Sequence, residues 1–526
     1  MASNSQIIIQ DIRQEFEMLL EFVMSDKARN ATADHIERSL FKLLLSVGAK
    51  LLVLFFVMRS ENCSREVQET STGQRLAYQH ERRRLYFSIF GKVPLWRPYF
   101  YQQGVGGQTP LDAELGLGDD SYSDLVREIT DYLGVYNVYH KSSDILCRLL
   151  GLNLSTRVIE ENIAEDAVDV EAYYAQKSAP APQQEAEILV VQADGKGVPI
   201  IYEDADQPQP VRLGKGQKRG RKQEAIVTTI YTIKPSSRTP QQVVDSFFHH
   251  QQLNAKEKVS RPKPQNKHIW ATLDGKDAAL DRLIPQVTAR DGAHIQHRVA
   301  LCDGCEALQT RLQDRFEPFT LILDFIHADE YLWDVANSLF GEKHPQRLDW
   351  MADHTLQILS GKTTQVIDEF RRMAQQSQYS TTQQVQLIKT ANYFDRNLPY
   401  MHYDTYLNNG WPIASGVIEG ACRHFVKDRC ELSGMRWDRS GVENLLRLRA
   451  VAENDDWDDY HHFRKRQRHL RLYHSPYPEQ PLVESQALET NSARSTRPPT
   501  SVAHVEPTIL SNNKHSNRYH HLPLAV

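Results

Sequence analysis

The chain has 526 residues, enough for about two to four domains. Hydrophobic residues make up 40% and charged residues 25%, an ordinary composition for a soluble protein. The formal net charge of −5 excludes a protein coated in positive charge, so any contact with nucleic acid must depend on local basic patches. Six cysteines at irregular spacing do not form a disulfide framework, which favours a reducing, cytoplasmic setting.

Residues 1–90 carry apolar positions at helical spacing and end in the charged run QHERRRLYF, which predicts a helical N-terminal region. The chain begins without a basic start and an apolar run, so no signal peptide is predicted. The most apolar stretch, residues 40–58, contains Lys42 and Lys50. Two lysines near the middle of a segment are costly in lipid, so we predict a buried helix and no membrane partner.

Residues 91–180 begin with a stretch rich in proline and glycine that we expect to be irregular. Helical patterns follow in SYSDLVREITDYL, SSDILCRLLGL and STRVIEENIA, each begun by a Ser- or Thr-type cap. Three short helices with brief turns fit a helix-turn-helix DNA reader, and they fit many small bundles equally. We treat 91–180 as a helical, helix-turn-helix-like DNA-binding region.

Residues 186–328 change to β-type patterns. Apolar, β-branched runs indicate strands in EILVVQADG, AIVTTIYTI (225–233), KHIWATL (267–273), HRVALCDG (297–304) and FTLILDFIH (319–327). Helical runs follow the third and fourth strands. Three strands, a helix, a strand, a helix and a strand is the order of an RNase H-like core, so we predict an α/β fold with a mixed five-stranded sheet.

The remainder of the chain is predicted to be mostly helical. Residues 329–409 have glutamine-rich polar faces and are interpreted as an all-helical insertion. The core then resumes over 410–460, with helices in GWPIASGVIEGACRHFVKDRC and LLRLRAV. Residues 461–526 hold a basic segment and a tail that lacks the apolar periodicity needed for order.

Two aspartates occupy equivalent places in the predicted sheet. Asp194 and Asp303 each follow an apolar run and precede a glycine. A single Asp-Gly is more often a turn, but neighbouring parallel strands would place both carboxylates in one cleft. Paired carboxylates repel each other unless a cation neutralises them, and hard oxygen ligands favour Mg²⁺ or Mn²⁺.

Glu419 supplies a third candidate acid. If Ser415 caps the helix, Glu419 lies in its first turn, where the helix dipole favours the ionised form. The alternative is a solvated surface glutamate, although the surrounding PIASGVIEGACRHFV is small and apolar. Two metal ions bound by Asp194, Asp303 and Glu419 would activate a water or a 3′-hydroxyl, as DNA strand cutting and joining require.

Asp324 and His327 form a D-x-x-H unit at the predicted end of the fifth strand. Asp324 is a rival second metal ligand, but we rank it below Asp303 because an RNase H-like order places the second acid on the fourth strand. We assign the pair a supporting role, with a packing histidine as an equal alternative. Cys302 and Cys305 form a lone C-x-x-C, from which no structural zinc is predicted.

Basic residues near the predicted acids are candidate DNA contacts. The run GKGQKRGRKQ lies between the first two strands, where it is either a solvated loop or a contact to the DNA backbone. Its cations are Lys215, Lys218, Arg219, Arg221 and Lys222. Arg423, Lys427 and Arg429 follow the third acid and are further candidates. A second basic cluster at 464–471 has weaker positional support.

The motifs in their linked order resemble those of the ISKra-type insertion-sequence transposases and, more distantly, the Mutator-like group. The resemblance is carried by QADGKG, AIVTTIYTI, LCDGCEALQ, LDFIHADEYLW, PIASGVIEGACRHFVKDR and SGMRW, and runs from about Pro110 to about Arg471. In the Mutator-like pattern a strand-end Asp-Gly carries the second acid and a C/D-x-x-H unit follows, which matches Asp303 and then Asp324 with His327. Glu419 matches the final acid. Relatives often carry a cysteine pair before PLD, which this chain lacks.

The resemblance implies a DDE transposase that uses a divalent metal and binds terminal inverted repeats and target DNA. We expect a homo-oligomer on the DNA ends, in the cytoplasm and associated with the nucleoid. One alternative is a DNA-binding protein descended from a transposase that no longer cuts. Another is a plain RNase H-type nuclease, which would need neither the N-terminal helices nor the insertion.

Overall fold

A computed structural model describes residues 4–70, 73–201, 222–248, 262–341, 343–432 and 435–478. Its strands are β1 Gln68–Glu69, β2 Arg75–Ser88, β3 Gly91–Gln102, β4 Gly106–Gln108, β5 Ile188–Pro199, β6 Lys222–Ile233, β7 Gln265–Thr272, β8 His297–Cys302 and β9 Thr320–Leu323. Its helices before the second half of the chain are α1 Asn4–Met24, α2 Asp26–Arg29, α3 Ala33–Glu61, α4 Pro110–Glu114, α5 Asp124–Tyr136, α6 Tyr139–Leu150, α7 Thr156–Asp166, α8 Val170–Gln176 and α9 Pro240–Phe248.

The remaining helices are α10 Gly275–Arg290, α11 Glu306–Arg315, α12 Phe325–Phe340, α13 Gln346–Leu359, α14 Thr363–Ala374, α15 Thr381–Asn397, α16 Tyr403–Asn408, α17 Gly416–Gly420, α18 Asp428–Cys430, α19 Arg439–Glu453 and α20 Trp457–Tyr473. A π-helical segment, Ala421–Lys427, joins α17 to α18 without a break. The predicted tail beyond residue 478 lies outside the described residues.

The N-terminal region contains a β-sheet that the sequence did not indicate. The predictions of a helix at 79–87 and of an irregular stretch after Pro94 are wrong, because these residues form β2 and β3 of a four-stranded antiparallel sheet. β2 and β3 pair almost residue for residue, from Ala77↔Tyr101 to Ser88↔Gly91. Gly91, at φ 100°, closes the tight turn between them. Pairing to a partner strand therefore outweighs the local charge pattern.

The apolar helix α3 is not the buried helix that we predicted. Only Val47, Phe56 and Ser60 are buried along its 29 residues. Phe56 packs with Val93 and Leu95 on the four-stranded sheet, while much of the rest of the helix is exposed. Within the described residues, α3 is the one helix long and apolar enough to cross a membrane, judged by length and composition alone.

The second sheet has five strands in the order β7-β6-β5-β8-β9. β6 is antiparallel to both β5 and β7, whereas β8 is parallel to both β5 and β9. Helices cover both faces: α10 and α11 pack against Leu189 and Val191, and α12 packs against Ile188 and Val190. The predicted mixed five-stranded sheet is confirmed, and runs buried on both faces explain why its strands are continuously apolar.

Two strand boundaries differ from the predicted ones. β5 does not end at Asp194 but continues to Pro199, because the hairpin with β6 pairs that far. Its parallel pairing with β8 stops at Gln192, so Asp194 lies just beyond the β8-paired segment. β9 ends at Leu323 and α12 begins at Phe325, so the D-x-x-H unit starts a helix and does not end a strand.

Helices α12 to α16 occupy the region predicted as a helical insertion. The chain then returns to the sheet through α17, where the predicted cap is wrong in detail: the Ser415 side chain makes no capping hydrogen bond. Its hydroxyl instead donates to the Asp324 carboxylate at the start of α12. The serine therefore joins two segments 91 residues apart in the sequence.

Candidate metal centre

Four acidic side chains gather where the parallel strands end. Asp194 lies on β5, Asp303 follows β8, Asp324 follows β9, and Glu419 lies on α17, which contacts β5. Because β5, β8 and β9 are parallel, the residues that follow their paired segments meet at one edge of the sheet. The edge concentrates negative charge in a partly buried space.

Asp194 and Asp303 are half-buried neighbours in this cluster. The Cys305 backbone N–H donates to Asp303 Oδ1 at 3.0 Å, and the Cys422 thiol donates to Asp194 Oδ2 at 3.3 Å. Burial and the charge of Asp194 raise the pKa of Asp303 above its ordinary value. The two carboxylates are therefore close enough to repel each other.

Gly304 is required by the packing beside Asp303. A Cβ at this position would lie 2.3 Å from the Tyr393 hydroxyl, so no side chain fits without movement of the ring. Arg396 donates to the Gly304 carbonyl at 2.7 Å. Gly304 therefore allows the loop after β8 to lie close to α15. Tyr393 helps to hold this loop, which carries Asp303, in place.

Asp324 is fully buried and already saturated with hydrogen bonds. Its Oδ1 accepts from the backbone N–H groups of Ile326, at 3.0 Å, and of Ser415, at 3.2 Å. Its Oδ2 accepts from the Ser415 hydroxyl. Burial raises its pKa, although His327 and these donors act in the opposite direction. Asp324 thus fastens the start of α12 to the start of α17.

His327 places a cation beside the acids. Its Nε2 lies 3.9 Å from Asp324 Oδ2, and its Nδ1 lies 3.3 Å from Glu330 Oε2. Burial lowers its pKa, but Glu330, Asp324 and Asp303 outweigh that effect and raise the pKa to about 9. The imidazole is therefore protonated at neutral pH and offsets part of the negative charge.

Glu419 lies beside Asp324 and His327. The Ser415 hydroxyl approaches its Oε1 at 3.4 Å, and burial together with Asp324 raises its pKa. Possible ligand atoms of Asp324, His327 and Glu419 lie within 4.8 Å of one another. Carboxylate oxygens are the ligands that a hard divalent cation prefers, so Asp324 and Glu419 fit such an ion by donor type, whereas the protonated His327 has no lone pair to offer.

The structure places Asp194, Asp303, Asp324, His327 and Glu419 at one sheet edge and adds partners that the sequence reasoning missed. Ser415, Glu330 and Tyr393 each contact or orient a predicted residue. Glu330 had a visible signal, since it lies three residues after His327 on the same helical face. Ser415 and Tyr393 had none, because their contacts are long-range.

The predicted DNA-contacting cations have different outcomes. Lys215, Lys218, Arg219 and Arg221 lie outside the described residues, and Lys222 forms an ion pair with Glu431. Arg423 and Lys427 are exposed on the π-helical segment.

Arg429 cannot contact DNA, contrary to the prediction, because it is only 1% exposed. Its Nε and Nη2 donate to the Gly134 carbonyl at 3.1 and 2.9 Å. Its guanidinium also lies against the rings of Tyr139 and Trp437. Helical spacing explains the error: Arg429 is on the inward face of the segment that exposes Lys427.

The second basic cluster is partly internal: Arg464 is buried and Arg468 half-buried, whereas Arg466 and Arg471 are exposed. Arg464 pairs with Asp166 at 2.7 Å, Arg468 with Asp124 at 2.7 Å, and Arg471 with Asp169 at 2.6 Å. These arginines attach α20 to the helices of the 91–180 region.

Metal binding is expected to stabilise the fold measurably. Saturating Mn²⁺ should raise the Tm of the wild type by roughly 2–6 °C in a thermal-shift assay. Glu419→Gln should lose most of that rise, whereas Glu317→Gln, an exposed acid at the opposite end of β9, should keep it.

The direction of the stability change in Glu419→Gln can also be predicted for the metal-free protein. A raised folded-state pKa means that ionisation of Glu419 costs stability as the pH rises above the ordinary value of the group. Metal-free Glu419→Gln should therefore melt no lower than the wild type at pH 7. An equal Mn²⁺ shift in both proteins would contradict Glu419 as a ligand.

Comparison with known proteins gives little independent information. No family model matches the chain, and no curated protein matches it. Among solved structures, the Drosophila P element transposase strand transfer complex aligns with 68% of this chain and 83% of its own chain, at 9% identity and a TM-score of 0.22. Values this low establish neither a shared fold nor a shared function.

Proposed function

We propose that this chain is a DDE transposase of the ISKra type, which cuts and joins DNA strands with divalent metal ions at an RNase H-like core. The observation that carries the proposal is that Asp194 and Asp303 are neighbours at one edge of the mixed sheet, where the helix that carries Glu419 packs against β5. Cytoplasmic location, association with the nucleoid and assembly on DNA ends belong to the same proposal.

The strand arrangement supports an RNase H-like core. The five strands, numbered by their order in the chain, are arranged across the sheet as third, second, first, fourth and fifth. The first three are antiparallel and the last two are parallel to the first. This is the arrangement expected of an RNase H-like sheet, with helices α12 to α16 inserted after the fifth strand.

Hydrogen bonding favours Asp303 over Asp324 as the second metal ligand. Both oxygens of Asp324 accept bonds from protein donors, and its side chain is fully buried. Asp303 is partly exposed and faces the charge of Asp194. A metal ligand needs at least one carboxylate oxygen that protein donors do not already hold. We therefore assign Asp303 to the metal and Asp324 to positioning.

Each residue then has a defined task. Asp194, Asp303 and Glu419 would hold two Mg²⁺ or Mn²⁺ ions. Such ions, when bound, activate a water or 3′-hydroxyl and stabilise the leaving oxygen. Ser415 and Asp324 keep α17 against α12, so that Glu419 stays opposite the two aspartates. His327 lowers the mutual repulsion of the carboxylates and offers a donor for a phosphate oxygen.

The decisive experiment is strand cleavage and strand transfer in Mg²⁺ or Mn²⁺, on duplex DNA from either side of the chain's own gene. The proposal predicts cleavage at inverted repeats and joining of the released 3′ ends to a target. Binding without any cleavage would instead favour a DNA-binding protein that no longer cuts. Cleavage of RNA–DNA hybrids alone would favour an RNase H-type nuclease.

DNA binding should depend on the two exposed cations beside the third acid. Arg423→Ala and Lys427→Ala should each reduce the slope of log K against log salt concentration by about 0.9, because each removes one phosphate contact. Arg371→Ala is the control, since Arg371 is a partly exposed arginine of the inserted helices. Binding isotherms at several salt concentrations measure the slopes. Equal slopes in all three variants would remove Arg423 and Lys427 from the interface.

A further inference from the structure

The exposed face of α3 carries a regular apolar seam. Large apolar residues recur at spacings of 3, 7, 4 and 3 residues, which is the a/d spacing of a heptad repeat. These residues, hereafter the α3 seam, are Phe41, Leu44, Leu51, Phe55 and Met58, exposed by 47, 57, 49, 45 and 47%. The heptad position between Leu44 and Leu51 is Gly48, where the ring of Phe90 packs.

The other two faces of α3 are occupied. One packs on the four-stranded sheet through Phe56 and its neighbours Leu52 and Val53. The second faces α1, where Lys50 Nζ lies 2.6 Å from Glu15 and 2.8 Å from Asp11. The α3 seam lies on the third face of the helix, which is exposed on the surface of the folded protein.

A second helix suits this seam better than a lipid bilayer does. A membrane would have to surround α3, yet the sheet and α1 already cover two of its faces. α1 also carries Asp11, Arg13 and Glu17, which are exposed and costly to bury in lipid. A heptad seam, in contrast, presents a narrow stripe that fits the side of one partner helix.

We propose that the α3 seam is the contact through which two copies of this chain form a dimer in the absence of DNA. Between Phe41 and Met58 the charged side chains are Lys42 and Lys50, both off the seam, so two identical seams meet without like-charge repulsion. The seam extends over about 26 Å of helix, with the ring of Phe90 filling the place beside Gly48. Burying its five half-exposed side chains removes roughly 500 Å² per chain, about 1,000 Å² for a pair, which reaches the lower limit of a specific interface.

The dimer is independent of the proposed catalytic activity and is tested without DNA. Sedimentation velocity of the full-length protein between about 0.1 and 50 μM should show a dimer whose dissociation constant rises at least about 100-fold in Leu51→Glu, because each copy buries an unpaired charge. Leu149→Glu, a leucine of α6 that is 60% exposed, is the matched control and should leave the dimer intact. Far-ultraviolet circular dichroism checks that both variants stay folded.

Two variants of opposite charge test whether the two copies of Leu51 face each other. Leu51 lies near the middle of the seam, so the two copies of this side chain are close for either direction of the partner helix. Leu51→Glu and Leu51→Lys should each be monomeric, and an equimolar mixture should recover the dimer. A monomeric wild type over the full concentration range, or a dimer unaffected by Leu51→Glu, overturns the proposal. So does flotation of the wild type with phosphatidylcholine vesicles that Leu51→Glu abolishes.

Discussion

Asp303→Asn is expected to lower metal-dependent strand cleavage at least about 1,000-fold, which corresponds to about 4 kcal/mol of lost transition-state stabilisation. Asparagine keeps the size of the side chain and the oxygen that accepts from the Cys305 N–H. It removes the charge that faces Asp194 and would be matched by a metal ion. The loss should therefore lie in catalysis, while the fold and DNA binding remain.

Asp324→Asn is the matched comparison for that prediction. The variant keeps an oxygen for the N–H groups of Ile326 and Ser415, but it weakens the charged contact with the Ser415 hydroxyl. We expect about 10- to 100-fold less cleavage, because Glu419 is held less firmly, and a lower Tm. Single-turnover cleavage at saturating protein, with a melting curve for each variant, separates the two effects. Abolished cleavage in Asp324→Asn alone would reverse the two assignments.

The core of the fold was predictable because its strands carry a strong local signal. Runs such as AIVTTIYTI are apolar and β-branched throughout, as strands buried on both faces must be. The acids were found for a related reason: Asp303 directly follows its apolar run, and parallel pairing brings it to the edge beside Asp194. The strand-end position was readable for Asp303 but not for Asp194, because β5 continues beyond Asp194 in its hairpin with β6.

The errors have physical causes of two kinds. The β2–β3 hairpin has charged and aromatic residues on its exposed side, so its local composition resembles an exposed helix, and the pairing that defines it is non-local. Arg429 and Arg464 are cations buried among partners far along the chain, so their surroundings cannot be deduced from a basic run. Ser415 likewise contacts Asp324 only because two distant helices meet.

Asp166→Asn is expected to lower the free energy of unfolding by about 3–5 kcal/mol, because it removes the one buried carboxylate that two buried guanidinium groups share and leaves them only with more exposed acidic partners. Arg127 donates to Asp166 from Nη2 at 2.6 Å, and Arg464 donates from Nη1 at 2.7 Å. All three side chains are at most 3% exposed. The arginines hold the pKa of Asp166 well below its ordinary value despite burial, so this contribution is complete above the ordinary pKa and is lost as the pH falls.

Asp131 is the control that separates charge from shape. It is fully buried beside Asp166, and among the described residues neither of its carboxyl oxygens receives a hydrogen bond. Burial and the neighbouring charge of Asp166 raise its pKa well above the ordinary value, which favours the protonated form that can donate to Asp166. Asp131→Asn keeps a donor at that place and should cost far less than Asp166→Asn. Chemical denaturation at pH 7 measures both, and equal losses would show that the network is held by packing and not by the charge of Asp166.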